Sequence, residues 1–219
     1  MSKALLIKVL IAVFWIALIL LSIHFYLENA VSYFFGYRNE RFGDSLLSNQ
    51  LWFVVHLAGG TCSLFLGPIQ FWTFFRTRYI KLHRFLGKVY IGGSLIAGLS
   101  ALRLSLINDC HACRYSLLLL SVLLLFFTSA AYYSIRKYNI EAHKQFMIRS
   151  YVCALAFVLV RLPQVLPMDF LFGMLETPEE RRIVGEWVFS LVPLFAVELW
   201  ITWIPSLKGI VARRNNTVT

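Results

Sequence analysis

Four of the five histidines lie in or beside long apolar stretches, and histidine has the widest chemistry among the polar residues there. A neutral imidazole nitrogen can bind a metal ion or a haem iron. His83 and His143 each stand where an apolar stretch begins, so two ring nitrogens from facing helices could hold one haem plane. The sequence therefore predicts a haem b site with His83 and His143 as ligands of the iron. The alternative is that both rings only hydrogen-bond carbonyl groups.

Two charged residues lie deeper within the apolar stretches. A charge at the membrane centre costs roughly 2.5–3.5 kcal/mol on insertion scales, so it should face protein, water or a ligand. At a rise of ~1.5 Å per residue, Arg149 and Glu198 each lie ~9 Å from the same edge of the membrane. We expect them to form a buried ion pair, with Arg149 also near a haem propionate.

A third group of polar residues is expected near the opposite edge. The same rise places Arg103 and Arg161 ~27 Å along their helices, and His56 lies on that side too. These three side chains predict an anion site that opens outward, although each arginine could instead extend to its nearer surface. His56 could bind a second haem only with a partner histidine. The substitutes, His24 and His111, lie at the membrane edge.

Cys110 and Cys113 form a Cys-His-Ala-Cys group between two apolar stretches. On an oxidising side of the membrane the two can form a disulfide or a redox pair, and idle thiols are the third alternative. The order for covalent haem attachment, Cys-x-x-Cys-His, is absent because Arg114 follows Cys113. Cys110, His111 and Cys113 are also one ligand short of the usual four of a zinc site. We favour a disulfide or idle thiols over chemistry.

The elements that position these residues follow from composition. Of 219 residues, 59% are apolar and only 15% are charged, which excludes an ordinary soluble enzyme, a disordered chain and a disulfide scaffold. A membrane-spanning helix needs about 20 mostly apolar residues. Six stretches qualify: 5–25, 51–75, 85–107, 115–135, 143–166 and 186–204. We predict an all-α polytopic membrane protein in a single membrane domain, with six spans and a four-helix core made of spans two to five.

The first span resembles a signal peptide, but no small-residue cleavage pattern follows Ile23, so we expect it to be retained. Lysine and arginine collect on the cytoplasmic side of membrane proteins. With the amino terminus inside, 13 of the 21 basic residues fall on the cytoplasmic side, 5 fall outside and 3 lie within spans. This predicts a plasma-membrane protein with both termini in the cytoplasm. The net charge of +10 is then a topology signal, and no nucleic-acid partner is needed to explain it.

Small residues recur at four-residue spacing on two spans, Gly59, Ser63 and Gly67 on the second and Gly93, Ala97 and Ala101 on the third. Such faces let helix backbones approach closely in lipid. Pro68 and Pro193 lie inside predicted helices, where each should kink the helix and free a carbonyl. Motifs of P-loop ATPases, zincin proteases and esterases are absent from the sequence.

Three stretches together resemble the multi-pass membrane proteins called domain of unknown function 2306, and the likeness covers residues 51–166. The stretches are His56-Leu-Ala-Gly-Gly60 with Leu66-Gly-Pro-Ile-Gln70, Leu82-His-Arg-Phe-Leu-Gly-Lys-Val-Tyr90, and His143-Lys-Gln-Phe-Met-Ile-Arg-Ser-Tyr151 followed by Arg161. The resemblance implies a helical membrane core and no established activity. The positions that match the family pattern are His56, His83, Arg84, Gly87, Tyr90, His143, Met147, Arg149 and Arg161. A fainter likeness to cytochromes of the b561 type is one of fold only.

Three functions follow as hypotheses. The first is a b-type haem or redox membrane protein that uses His83 and His143. The second is a transporter or binder of small molecules or anions that uses Arg103, Arg161 and His56. The third is a non-catalytic scaffold or assembly protein. The expected partners are the lipid bilayer and either another membrane subunit or a second copy of the chain.

Overall fold

The structure, a computed structural model, describes residues 2–34 and 46–208. The described part is helical and contains no strand, and six of its helices are long and apolar enough to cross a membrane. This confirms the predicted all-α membrane fold. The elements are α1 (Lys3–Asn29), α2 (Val31–Phe34), α3 (Leu46–Phe71), α4 (Thr73–Arg78), α5 (Ile80–Leu106), α6 (His111–Arg136), α7 (Ile140–Leu159), a 3₁₀ turn (Leu162–Gln164), α8 (Asp169–Phe172), α9 (Pro178–Glu198) and a π-helical turn (Leu199–Trp203).

Four helices form the core, as predicted for spans two to five. α3 packs on α5, α5 on α6, α6 on α7, and α7 closes the ring against α3. α5 and α7 therefore lie diagonally opposite each other. α1 lies against α3 and α7, α9 lies against α6 and α7, and much of the surface of both outer helices is exposed apolar side chains. Such surfaces suit contact with lipid.

The helix ends differ from the predicted spans by several residues. The second span ends at Phe71, and a separate helix, α4, follows the break at Trp72. The third span begins earlier, at Ile80, so His83 lies within its first turn. The fifth begins at Ile140, where Asn139 Oδ1 accepts from Ala142 N, and it ends at Leu159. Arg161 therefore follows α7 and does not lie within it.

The small-residue stripes mark the closest helix contact. A Cβ added at Gly59 would lie 2.5 Å from the Gly93 carbonyl oxygen and 2.8 Å from Ala97 N, so the two backbones touch there. Ser63 and Ser94 add a buried hydroxyl–hydroxyl hydrogen bond of 2.7 Å one turn away. α3 and α5 are thus joined by backbone contact and a polar link, as helix pairs in lipid often are.

Pro68 frees a carbonyl inside α3, as predicted, and the fold supplies a donor for it. Proline lacks the N–H that would bond the carbonyl four residues earlier, which is that of Leu64. Tyr151 Oη donates to Leu64 O at 3.3 Å. Gly67 makes this possible, because a Cβ there would overlap the Tyr151 ring.

The two ends of the bundle differ in chemistry. The basic end is where α3 and α6 end and α5 and α7 begin, and it includes α4. The disulfide end is the opposite one, and it includes the α5–α6 turn, residues 160–177 and the first turns of α9. Arg213 and Arg214, which count toward the predicted charge bias, lie outside the described residues.

Candidate functional site

A buried cluster of hydroxyl groups crosses the centre of the bundle. Tyr90 Oη and Ser150 Oγ are 3.0 Å apart, and Thr128 Oγ1 lies 2.7 Å from Ser150 Oγ. Ser94 is a second neighbour of the Tyr90 hydroxyl. Tyr90, Thr128 and Ser150 are fully buried. The Tyr90–Ser150 hydrogen bond joins α5 to α7. It therefore shows which face of each of these diagonal helices is turned toward the other.

His83 and His143 lie on those same faces. Each precedes its member of the Tyr90–Ser150 pair by seven residues, which is about two helical turns or ~10.5 Å. Residues seven apart share a helix face, so both imidazoles look across the bundle interior at the basic end. His143 also lies within electrostatic range of His83. The structure therefore brings the two predicted ligands to one level and one space.

The ring orientation of His143 is set by the neighbouring helix. Its Nδ1 lies 2.9 Å from the carbonyl oxygen of Ala131 on α6, and a carbonyl can only accept, so Nδ1 carries the proton. Nε2 is then the nitrogen with a free lone pair. A carbonyl behind Nδ1 is the usual outer partner of a histidine that ligates a metal through Nε2.

Two buried nitrogens at the basic end have no hydrogen-bond partner. They are His83 Nδ1 and Gln70 Nε2. The Gln70 amide lies against α5, because a Cβ added at Gly87 would be 3.4 Å from Gln70 Oε1. Gly87 is one turn beyond His83, so both nitrogens belong to the same stretch of the α3–α5 interface. Arg76 and Arg84 are within electrostatic range of His83.

His56 has a similar setting near the middle of α3. Its Nδ1 lies 2.9 Å from Ala97 O on α5 and must donate to it. The structure thus places His56 in the close α3–α5 contact. No second histidine of the described residues lies in a core helix opposite it, because His111 is exposed at the first residue of α6.

The predicted pairing of Arg149 with Glu198 is confirmed. Arg149 Nε donates to Glu198 Oε2 at 2.8 Å, and Nη2 donates to Thr202 Oγ1 at 2.7 Å. Arg149 is only 7% exposed. Glu198 ends α9 and Thr202 lies in the π-helical turn after it, a local feature that is frequent at functional sites.

Arg103, Arg161 and His56, predicted to form one anion site, take separate partners. Arg103 is exposed and lies over the Trp52 ring, 5.9 Å from its centroid. Arg161 Nη1 donates to Phe157 O at 2.6 Å, and its guanidinium lies 4.1 Å from the Phe157 ring centroid. The carboxylate of Glu186 on α9 lies within electrostatic range of Arg161 and of Arg182.

The disulfide end is held by covalent and ionic links. Cys110 and Cys113 form a disulfide, one of the two alternatives that the sequence favoured, with their Cα atoms 5.2 Å apart, and both residues are buried. Arg182 on α9 reaches the preceding turn, where its Nη2 donates to Asp109 Oδ1 at 3.0 Å and to Asn108 Oδ1 at 3.2 Å. The hydrogen bond from Arg182 holds the pKa of Asp109 below its usual range.

A cavity of about 410 Å³ opens beside this link. Its lining is mostly apolar, with Val160 and Phe172 among the side chains, and its polar groups come from Arg181, Arg182 and Glu186. The cavity lies beside the end of α7, and none of the three residues predicted to form the anion site is among its lining residues.

Sequence reasoning did not select Gln70, Glu186 or Thr202. Gln70 had a usable signal, since a buried amide close to a helix-interrupting Pro68 stands out in an apolar span. Glu186 and Thr202 had none, because their partners come from other helices. In the described part of the chain, no three His, Cys, Asp or Glu side chains come together as a metal site. A haem needs only two histidines, and His83 and His143 lie at a similar level on α5 and α7.

The comparisons with known proteins give one match. Residues 53–207 match the family described as predicted membrane protein (DUF2306), which takes in the sixth span as well as the 51–166 region that carries the motifs. Neither a curated protein nor a solved structure matches the chain. Since the family match covers most of the chain, the protein belongs to the DUF2306 family of predicted membrane proteins.

Proposed function

We propose that this membrane protein binds a b-type haem at the basic end, with His83 and His143 as the two axial ligands. The observation that carries the proposal is the shared register of the diagonal helices. Both histidines lie two turns from residues that touch, Tyr90 and Ser150, so they lie at a similar level on the facing sides of α5 and α7. Four-helix bundles commonly build cofactor sites from side chains on facing helices.

The surroundings of the two rings support this assignment. The carbonyl of Ala131 holds His143 with Nε2 directed away from α6. Arg76 and Arg84 supply positive charge for carboxylate groups, whereas Arg149 is already engaged by Glu198 and Thr202. An iron held by two histidines has no open position, so the bound group would transfer single electrons.

A second candidate is a binder or transporter of small amphipathic molecules at the disulfide end. The cavity of about 410 Å³ favours it, because an apolar lining with a few convergent charges is typical of ligand sites. In this candidate the polar groups of the site are Glu186 and Arg182. Arg103 and His56, which the sequence predicted, are not part of it. Arg161 influences the site only through its electrostatic interaction with Glu186. Loss of ligand retention in Glu186→Gln, with haem content unchanged, would favour this second candidate.

The scaffold alternative rests on the Gly59–Gly93 contact alone. It requires that histidine substitutions leave function intact while Gly93→Leu, which would separate α3 from α5, abolishes it. For all three functions we propose a plasma-membrane location with the basic end toward the cytoplasm, since the positive charges collect there. A second membrane subunit or a second copy of the chain remains part of this proposal.

The test is haem titration of the purified chain in detergent, followed by its absorption spectrum. We expect saturation at one haem per chain, with a sharp Soret band and resolved bands of a reduced six-coordinate iron. His83→Ala and His143→Ala should each abolish tight binding. His56→Ala is the matched control, because its ring has the same Nδ1–carbonyl bond, and it should bind normally. Equal binding by all three variants would overturn the proposal.

A further inference from the structure

The basic end contains two buried nitrogens for which no hydrogen-bond partner lies among the described residues. Gln70 is 6% exposed, and its Nε2 has no partner. His83 Nδ1 is buried and equally without one, so the two nitrogens do not satisfy each other. A buried amide left unpaired is destabilising, and most such groups in proteins meet a partner. The two unpaired nitrogens, Gln70 Nε2 and His83 Nδ1, therefore indicate that a hydrogen-bond acceptor is missing beside them.

Positive charge surrounds the same place. Arg76 and Arg84 act on His83, and the segment from Trp72 to Tyr90 contains five basic residues and no acidic one. The nearest acidic residue at this end by sequence is Glu141, which already lies near Lys144 and Gln145. Within the segment 72–90 an acceptor would meet donors and cations and no carboxylate.

We propose that the basic end binds an oxyanion, a phosphate or carboxylate group, between α3 and α5. Gln70 Nε2 and His83 Nδ1 are its buried donors, and Arg76 and Arg84 neutralise its charge. Basic pockets between membrane helices hold acidic lipid headgroups in this way. The site goes beyond the proposed haem, because an oxyanion at Nδ1 of His83 leaves Nε2 for the iron.

Two sources could supply the oxyanion, an acidic phospholipid or a soluble phosphate. The thermal unfolding of the purified chain in neutral detergent separates them. One arm adds phosphatidylglycerol, with phosphatidylcholine as the neutral lipid. The other adds inorganic phosphate, with chloride at the same ionic strength. We expect phosphatidylglycerol or phosphate to raise the Tm by several degrees, and whichever does so identifies the source. No rise with either would overturn the proposal.

Gln70→Leu gives the sharper test, since it removes an unpaired donor and keeps the size of the side chain. Without anion the variant should unfold at the same Tm as the parent or higher, and the anion-dependent rise should be lost. Arg84→Gln should also lose the rise. The matched control is Arg78→Gln, an exposed arginine on α4, which should keep it. Retention of the full rise in Gln70→Leu would overturn the site.

His143→Ala separates this inference from the proposed haem. The substitution removes a proposed iron ligand and leaves both orphan donors in place. We expect it to lose haem and keep the anion-dependent rise. If haem binding fails in every variant while the rise depends on Gln70, the oxyanion site stands without the haem. If His143→Ala and Gln70→Leu lose the rise equally, the oxyanion site as drawn is wrong.

Discussion

The two ends of the bundle treat their polar groups in opposite ways. At the disulfide end, Arg182 meets Asp109, Glu186 lies between two arginines, and the two cysteines are bonded. Among the described residues at the basic end, Gln70 and His83 keep buried nitrogens without a partner, and basic residues outnumber acidic ones. The charged groups named at the disulfide end interact with one another. The basic end instead has unpaired buried nitrogens and excess positive charge, which are features of a site that a ligand completes.

The depth of the charges differs as well. Arg149 and Glu198 form their pair at a mostly buried arginine, whereas the side chains of Arg182 and Asp109 are 42% and 77% exposed. Removing one partner of a buried pair leaves an uncompensated charge, but an exposed pair is screened by water. Removing one partner should therefore lower the free energy of unfolding more at the Arg149–Glu198 pair than at the Arg182–Asp109 pair.

The largest effect is expected from Glu198→Gln. It leaves the Arg149 guanidinium buried beside neutral groups, which should lower the free energy of unfolding by about 3 kcal/mol. Chemical denaturation in detergent measures the loss. The double variant Arg149→Met with Glu198→Met should recover most of it, because no charge is left unpaired. If Glu198→Gln lowers the free energy of unfolding by less than about 1 kcal/mol, the Arg149–Glu198 pair behaves like a solvent-exposed ion pair and the prediction is wrong.

A smaller loss is expected when the disulfide is removed. Cys110→Ser with Cys113→Ser opens a very short loop, and the chain-entropy relation then gives a loss of up to about 2 kcal/mol. Thermal unfolding with and without reductant measures it. The double variant should be insensitive to reductant, and haem titration should be unchanged, because the bridge lies at the opposite end. If the double cysteine variant binds haem differently from the parent, the two ends are coupled and the distinction drawn between them is wrong.

The smallest effect is expected at Asp109. Its folded pKa is lowered by Arg182, so its contribution is present above the unfolded pKa and is lost as the pH falls through the folded one. Asp109→Asn should cost less than about 1 kcal/mol at neutral pH, since the pair is exposed. The difference between variant and parent should shrink as the pH falls through the folded pKa of Asp109 and vanish once that carboxyl group is protonated. A difference that grows on acidification would have the wrong sign for this ion pair.

Periodicity and depth predicted much of this architecture. Hydropathy located the six spans. The matched depth of Arg149 and Glu198 predicted their pairing, because a charge inside the membrane is costly unless it meets a partner. The same reasoning grouped Arg103, Arg161 and His56, and failed to foresee their separate partners. Depth gives the height of a residue in the membrane but not its direction around the helix axis. That direction follows from packing, here from the Gly59–Gly93 contact and the Tyr90–Ser150 bond.

The residues that sequence reasoning missed show the same limit. Gln70 is a polar residue in an apolar span, but only the structure shows that its nitrogen is buried beside Gly87 and unpaired among the described residues. Thr202 becomes relevant only because a π-helical turn comes after Glu198 and brings it to Arg149. Both facts depend on three-dimensional arrangement. In contrast, Cys110 and Cys113 are close in sequence, so their spacing alone made a disulfide one of two favoured alternatives, beside idle thiols.

Electron paramagnetic resonance of the ferric protein tests most directly whether His83 and His143 share one iron. We predict the low-spin signal of two imidazole ligands in the parent chain. In His83→Ala and His143→Ala we predict a high-spin signal or loss of haem, while His56→Ala keeps the low-spin signal. A low-spin signal that survives either of the first two substitutions, or a parent chain that binds no haem, would contradict the site.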